Sequence, residues 1–277
     1  MRPASASARR ARPLLGTFVE ISADGASPAA VHRAIDAAFH AVARIHRLMS
    51  VHDAGSDLSR LNRAEPGRAT TFHPWIRAVL RAALELHTAS GGLFDVTAGA
   101  APARGACDPG FDLLARGRAR RTRPGVTIDL GGIAKGFAVD RAVRVLRSHG
   151  ATRGLVNAGG DLVAFGAPGA LVAIRDPRRP GRALARVVVE NAALASSGGG
   201  AATIVDPRPT APRPEILGAT VTAPSCLLAD ALTKVVMIAG ESAGPLLARY
   251  GAAALFLGTS DQVHVTREWS RTVRRAS

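Results

Sequence analysis

Thr127-Ile128-Asp129-Leu130-Gly131-Gly132-Ile133-Ala134-Lys135-Gly136-Phe137-Ala138-Val139-Asp140 is the stretch richest in chemistry in this chain. Its apolar start, Val126–Leu130, reads as a short buried strand that delivers the carboxylate of Asp129. Gly131-Gly132 makes a tight turn, and a helix is predicted from there to Ser148, closing at Gly150. A turn of this kind brings backbone N–H groups and the positive end of a helix dipole close to an anion. Lys135, in the first helical turn, adds a point charge suited to a phosphate. The same residues also fit an ordinary strand-to-helix turn with a surface lysine.

Outward from this stretch, strands and helices mix without a regular βαβ rhythm. That favours a single α+β domain over a doubly wound parallel sheet. Leu14–Ser22 alternates like a strand. Ser27 caps a helix to about Met49, with Val31, Ile35, Phe39, Val42, Ile45 and Met49 on one stripe. A polar loop follows to Pro66, then a helix from about Pro74 to Ala89. Residues 100 to about 124 read as a low-complexity Ala/Gly/Arg region. Gly154–Ala164 is strand-like, broken at Asn157–Asp161. Leu171–Ile174, Ala185–Glu190, Leu194–Ser197 and Ala219–Thr222 are further strands. A helix from Leu227 to Ala239, a shorter one near Ala243–Tyr250, and a hairpin of Ala254–Leu257 with Val263–Thr266 complete the expectation. Residues 1–13 read as a disordered arm and 14–270 as the folded domain.

Composition narrows the function classes. The 277 residues hold 47% hydrophobic and 21% charged side chains, ordinary for a globular protein. No run approaches the ~20 apolar residues of a membrane span. Residues 1–22 lack the apolar core and cleavage site of an export signal, so a cytoplasmic protein is expected. Cys107 and Cys226 have no metal-ligand spacing. The formal charge of +15 suggests nucleic acid, but the arginines are scattered and aromatic residues are only 4%. A nucleic-acid partner is therefore not expected. Of the 36 basic residues, only Lys135 and Lys234 are lysines. In a chain that otherwise uses arginine, these suggest positions where a compact ammonium is needed.

Lys234 lies in Ala229-Asp230-Ala231-Leu232-Thr233-Lys234, within the apolar helix. A carboxylate among leucines and valines must be paired or metal-bound. Lys234, four residues after Asp230, shares its face, so an intrahelical ion pair competes with a metal or phosphate site. Asn157-Ala158-Gly159-Gly160-Asp161, Phe94-Asp95-Val96-Thr97 and Ser196-Ser197-Gly198-Gly199-Gly200 each fit either a ligand loop or a plain turn.

Taken in order, these stretches resemble the ApbE family of FAD:protein FMN transferases. Leu14–Phe18, Ser56–Asn62, Ser90–Thr97, Asp129–Asp140, Val156–Leu162, Ile204–Arg208 and Ala229–Thr233 carry the resemblance, which covers almost the whole chain from about residue 14. It implies a T-fold-like domain with mixed or antiparallel sheets and packed helices. It also implies transfer of FMN from FAD to a Thr or Ser hydroxyl of a target flavoprotein, with release of AMP and dependence on Mg²⁺. The resemblance gives FAD binding to Leu15, His52, Phe94, Asp95, Val96, Thr97, Asp129 and Lys135. It gives metal binding to a carbonyl at Gly132 and to Asp230, and catalytic roles to Asp230 and Lys135; Lys234, which departs from the family pattern, is this chain's third catalytic candidate.

Two departures from the family pattern bear on activity. Lys234 stands where the family has a hydroxyl-bearing metal ligand, and an ammonium cannot ligate a metal. Thr203 stands where the family has a histidine, and threonine is a poor general base at neutral pH. They motivate a second reading, a FAD-binding relative that has lost transfer or hydrolyses FAD slowly.

Overall fold

Val19, Ile21 and Ala23 alternate inward along β2 (Thr17–Gly25), and that alternation fixes which face of the main sheet meets the helices. The computed structural model describes residues 6–99, 108–199, 204–207, 215–259, 262–269 and 274–275. The disordered arm expected over residues 1–13 is corrected for residues 6–13, and residues 1–5 lie outside the described residues. Ala6–Leu14 forms β1, paired antiparallel with β2 from Ala6↔Gly25 to Leu14↔Thr17. Its Arg/Ala composition hides a strand because an edge strand needs no buried alternation, and no β1 residue is fully buried. The turn between them is Leu15-Gly16, with both φ angles positive (58° and 71°), as two-residue hairpins prefer.

The helices α1 (Pro28–Met49), α2 (Asp57–Arg63) and α3 (Pro74–Ala89) follow, with the two-residue strand β3 (Thr70–Thr71) between α2 and α3. Ser27 caps α1 as expected, its Oγ accepting from the Ala30 N–H. The stripe read from the sequence is buried, and burying each Val, Ile or Phe of it contributes about 1.5–3 kcal/mol. Helix α2 occupies part of the expected polar loop. Ser56 caps it while Leu58 and Leu61 enter the core. The low-complexity region contains β4 (Phe111–Leu114) and β5 (Arg118–Arg121), which make a small antiparallel sheet with β3.

The remaining elements are α4 (Ala134–Ser148), β6 (Arg153–Ala158), β7 (Asp161–Phe165), β8 (Ala170–Asp176), β9 (Arg179–Val189), β10 (Ala192–Gly198), β11 (Ile216–Ala223), α5 (Cys226–Ala239), α6 (Gly244–Arg249), β12 (Ala253–Gly258), β13 (Val263–Val265) and β14 (Arg274–Arg275). The main sheet is eight-stranded and antiparallel, ordered β1-β2-β6-β7-β10-β11-β12-β13. Helices α1, α4 and α5 pack against it around the larger core. Strands β14, β9 and β8 form a third sheet. Ile174, Val187 and Val189 of that sheet join Leu162, Leu194, Leu255 and Trp269 in a second core.

Val126–Leu130 is a second correction. It alternates in burial, but it joins no sheet. Its backbone partner is a side chain: the Asn62 amide donates to the Ile128 carbonyl (2.8 Å) and accepts from the Ile128 N–H (2.9 Å). The Asp129 N–H then donates to the Val96 carbonyl at 2.7 Å. One asparagine thus takes the place of a neighbouring strand and holds the approach to the glycine turn. Replacing Asn62 by Leu leaves both groups of buried Ile128 unpaired, and the expected loss is about 2 kcal/mol or more. Urea unfolding of Asn62→Leu checks it; an unchanged midpoint would show that the amide is dispensable.

Candidate active site

Helix α5 is apolar on nearly every side, so Asp230 at its centre is fully buried, with 0% exposure. A bare carboxylate there would be untenable, and three donors compensate it. Lys234 Nζ donates to Oδ1 one turn along the helix. Lys135 Nζ, from α4, stands 3.6 Å from the same oxygen. The Gly136 N–H donates to Oδ2 at 3.0 Å. Burial alone would raise the Asp230 carboxyl, but Lys234 and then Lys135 outweigh it and hold it below the usual carboxylate range.

Gly136 is where the two helices touch. A Cβ there would stand 2.2 Å from the Cys226 carbonyl oxygen and 2.8 Å from Asp230 Cβ. The contact is locked further along by Asp140, which accepts from the N–H groups of Cys226 (2.8 Å) and Leu227 (2.9 Å) at the start of α5. Cys226 itself is fully buried, and burial pushes its thiol well up, so it offers no thiolate chemistry.

The fourth member of the cluster is Asp161, which sequence reasoning placed in a turn and gave no role. Gly159 and Gly160, at φ 68° and 107°, make the two-residue turn that returns β6 into β7 and starts β7 with a buried Asp161. Its Oδ2 lies 2.7 Å from Lys135 Nζ. Burial, then the neighbouring charge of Asp230, raises the Asp161 carboxyl, against the pull of both lysines. Burial disfavours the Lys135 ammonium, but Asp230 and Asp161 more than reverse this and raise it above its ordinary value. The signal for Asp161 was present in the sequence: a second carboxylate directly after a Gly-Gly turn, in a chain with two lysines to share.

The expected residues fall into two groups. Lys135, Asp230, Lys234 and Gly132 come together. A Cβ on Gly132 would lie 3.4 Å from Lys234 Cε, so the lysine stem runs along that glycine. Asp129 comes beside Phe94–Thr97 through its bond to Val96. Asp129 is exposed, with Oδ1 accepting from the Gly131 N–H at 2.8 Å. Phe94, Val96 and Thr97 are buried, and Asp95 is half-buried. Asp95 Oδ1 accepts from both the Thr97 N–H and Thr97 Oγ1 at 2.7 Å. Leu15 sits at the β1–β2 turn, its N–H 3.5 Å from His46 Nδ1. His52 is exposed after α1, its N–H on Ser50 Oγ at 3.2 Å. Neither bond brings Leu15 or His52 into the cluster. Thr203 and Arg208 lie outside the described residues.

The two weak glycine motifs meet at a cavity whose lining includes none of Lys135, Asp161, Asp230 or Lys234. Asn157, Gly159, Gly160, Ser196, Ser197, Gly198 and Gly199 help line this cavity of about 760 Å³, within the size range of small-molecule sites. Ser197 Oγ is 2.7 Å from Thr233 Oγ1, which itself donates to the Asp230 carbonyl at 2.7 Å, so α5 is tied to the cavity wall. Helix α4 has no side-chain cap at its N-terminus. The positive end of its dipole and two partly exposed ammonium groups lie on the same side of the helix pair.

A divalent ion does not fit these residues as they stand. Asp230 Oδ1 is held by one ammonium with a second close by, and Oδ2 by a backbone N–H. Thr233, the nearest hydroxyl, is turned to Ser197 and the helix backbone. Among the described residues no three His, Cys, Asp or Glu side chains converge on one point.

A model of the ApbE family matches residues 15–256. The FAD:protein FMN transferase of Treponema pallidum (strain Nichols) is 27% identical over 311 aligned positions, covering 93% of this chain and 86% of that protein. The FAD:protein FMN transferase of Rhodobacter capsulatus is 33% identical over 156 residues, covering 51% of this chain and only 30% of that protein. Among solved structures, the ApbE protein of Thermotoga maritima superposes with a TM-score of 0.83 at 22% identity, over 96% of this chain and 99% of that one. The flavin transferase ApbE from Vibrio cholerae gives 0.81 at 20% identity, over 97% and 100%. At these identities the superpositions show the fold.

Two outcomes are expected from the cluster. Gly136→Ala forces α4 and α5 apart, with a loss of about 1–3 kcal/mol or more, read by chemical denaturation. Stability should also fall at alkaline pH. A raised lysine contributes fully below its unfolded value near 10.5 and loses that contribution as pH rises through its folded value. With only two lysines, two cysteines and one tyrosine in the chain, few groups titrate there, the buried Cys226 thiol being the other that couples stability to alkaline pH. Lys135→Met should flatten the decline seen in unfolding measured between about pH 9 and 12; an equal decline in the variant would place its origin elsewhere.

Proposed function

The chain belongs to the ApbE family, and on that premise we propose that it is an FAD:protein FMN transferase. The acceptor is a Thr or Ser hydroxyl of a target flavoprotein. The hydroxyl oxygen bonds to the phosphorus on the riboflavin side of FAD while the pyrophosphate bridge breaks. AMP leaves with the bridging oxygen, and the hydroxyl proton is released.

The observation that supports this reading is the convergence of two ammonium groups on one buried carboxylate, beside a glycine turn that opens a helix. Phosphoryl transfer asks a protein mainly to position its reactants and to stabilise charge on the phosphate oxygens. Lys135, partly exposed and clamped by Asp161 and Asp230, is placed to meet the pyrophosphate. Lys234 meets it from the other helix. Asp230 aims both ammonium groups and stays ionised. In this reading Asp129 and the Phe94–Thr97 segment hold the nucleotide, through Asp95, Asp129 and backbone groups, because the side chains of Phe94, Val96 and Thr97 point inward. Leu15 and His52 border the flavin.

The test is incubation with FAD and candidate acceptor flavoproteins. AMP is followed by chromatography and covalent flavin by fluorescence after denaturing electrophoresis. Both products should appear in equal amounts, and Lys135→Met should slow them by about 10²-fold, as for other lost charge-stabilising donors. FAD that binds tightly yet yields neither product would leave a binding protein and not a transferase.

A further inference from the structure

We propose that the Lys234 ammonium is a built-in replacement for a divalent cation, so that this chain binds FAD and transfers FMN without one. Three features carry the proposal. First, Lys234 Nζ sits on Asp230 Oδ1 and also donates to the Asp230 carbonyl at 3.0 Å, so it is fixed in place. Second, its stem passes along Gly132, with Cε 3.4 Å from where a Cβ would be. The ammonium is therefore held on the carboxylate that a cation would otherwise use, with its stem beside Gly132. Third, Lys135 already lies 3.6 Å from the same oxygen and pairs with Asp161. Two carboxylates and two ammonium groups balance one another. A dication added to this pocket would meet two positive charges at close range, in surroundings that screen them poorly.

An ammonium can meet a phosphate oxygen as a point charge while remaining bonded to Asp230, since it carries three donors. It supplies one positive charge where a magnesium ion supplies two, and Lys135 supplies the second. The lysines are also singular in composition: 34 of the 36 basic residues are arginine, whose broad planar guanidinium is not interchangeable with one compact charge.

The transfer arm of the test rests on the transferase reading, but the metal-binding arm does not. Electron paramagnetic resonance of Mn²⁺ reports metal binding directly, with no need of FAD or acceptor. The wild-type chain should leave Mn²⁺ free at concentrations up to the millimolar range. FAD affinity, read by flavin fluorescence, should change less than twofold between excess EDTA and excess Mg²⁺, as should AMP release. Lys234→Thr should create a Mn²⁺ site and make FAD affinity and AMP release fall at least tenfold in EDTA, with rescue by Mg²⁺. If this variant does not fold, Lys234→Ser serves the same purpose, and the wild-type Mn²⁺ measurement still decides. Micromolar Mn²⁺ binding by the wild-type chain, or a tenfold loss of FAD affinity in EDTA, would overturn the proposal. Metal-indifferent FAD binding without AMP release would sustain the replacement of the cation in FAD binding, while removing the transferase reading and, with it, the transfer half of the proposal.

Discussion

A carboxylate buried in an apolar helix needs compensation from outside that helix as well as within it. Asp230 imposes that need, and much of the architecture around α5 answers it. Gly136 gives up its side chain so that α4 can deliver an N–H to Oδ2. Lys135, one residue earlier, reaches the same carboxylate from the same helical turn. The β6–β7 hairpin then brings Asp161 to Lys135, which ties the main sheet to the helix pair. A buried ion network of this kind is weak evidence of stability, because desolvation offsets the Coulomb gain. Its value is in fixing charge at defined points, partly open to solvent, for an anionic ligand.

How much of this was legible depends on where each interaction was encoded. Helices α1 and α3 announce themselves by period and caps, because their burial is one-sided and local, whereas α4 is marked by the glycines that flank it and α5 by its apolar run. The hairpin at Gly159-Gly160 is visible because two adjacent positive φ angles demand glycine. Strand β1 was hidden, since Arg and Ala side chains at a sheet edge resemble a disordered arm. Val126–Leu130 misled in the other direction. Its alternation is genuine, but in place of a neighbouring strand it has, among other partners, an asparagine side chain 66 positions away, the Val96 carbonyl and the Arg121 guanidinium, which no local pattern encodes.

The site divides in the same way. Asp230 and Lys234 lie four apart on one helix, so their pairing could be read from spacing. The pairing of Lys135 with Asp161 spans different elements and needed the fold. The resemblance to a metal-using family supplied Gly132 and Asp230 as ligands. The structure puts the Lys234 ammonium on Asp230 and the lysine stem alongside Gly132. Arginine-rich composition, first read as a clue to nucleic acid, proves more useful as a background against which two lysines stand out.

The central claim is that Lys135 and Lys234 together receive the pyrophosphate of FAD at the glycine turn. A crystal structure of the chain with FAD tests it most directly. The account predicts both Nζ atoms within hydrogen-bonding distance of pyrophosphate oxygens, with Asp230 still bonded to Lys234. A pyrophosphate held elsewhere, or a metal ion lodged between Asp230 and the phosphates with Lys234 turned away, would contradict it.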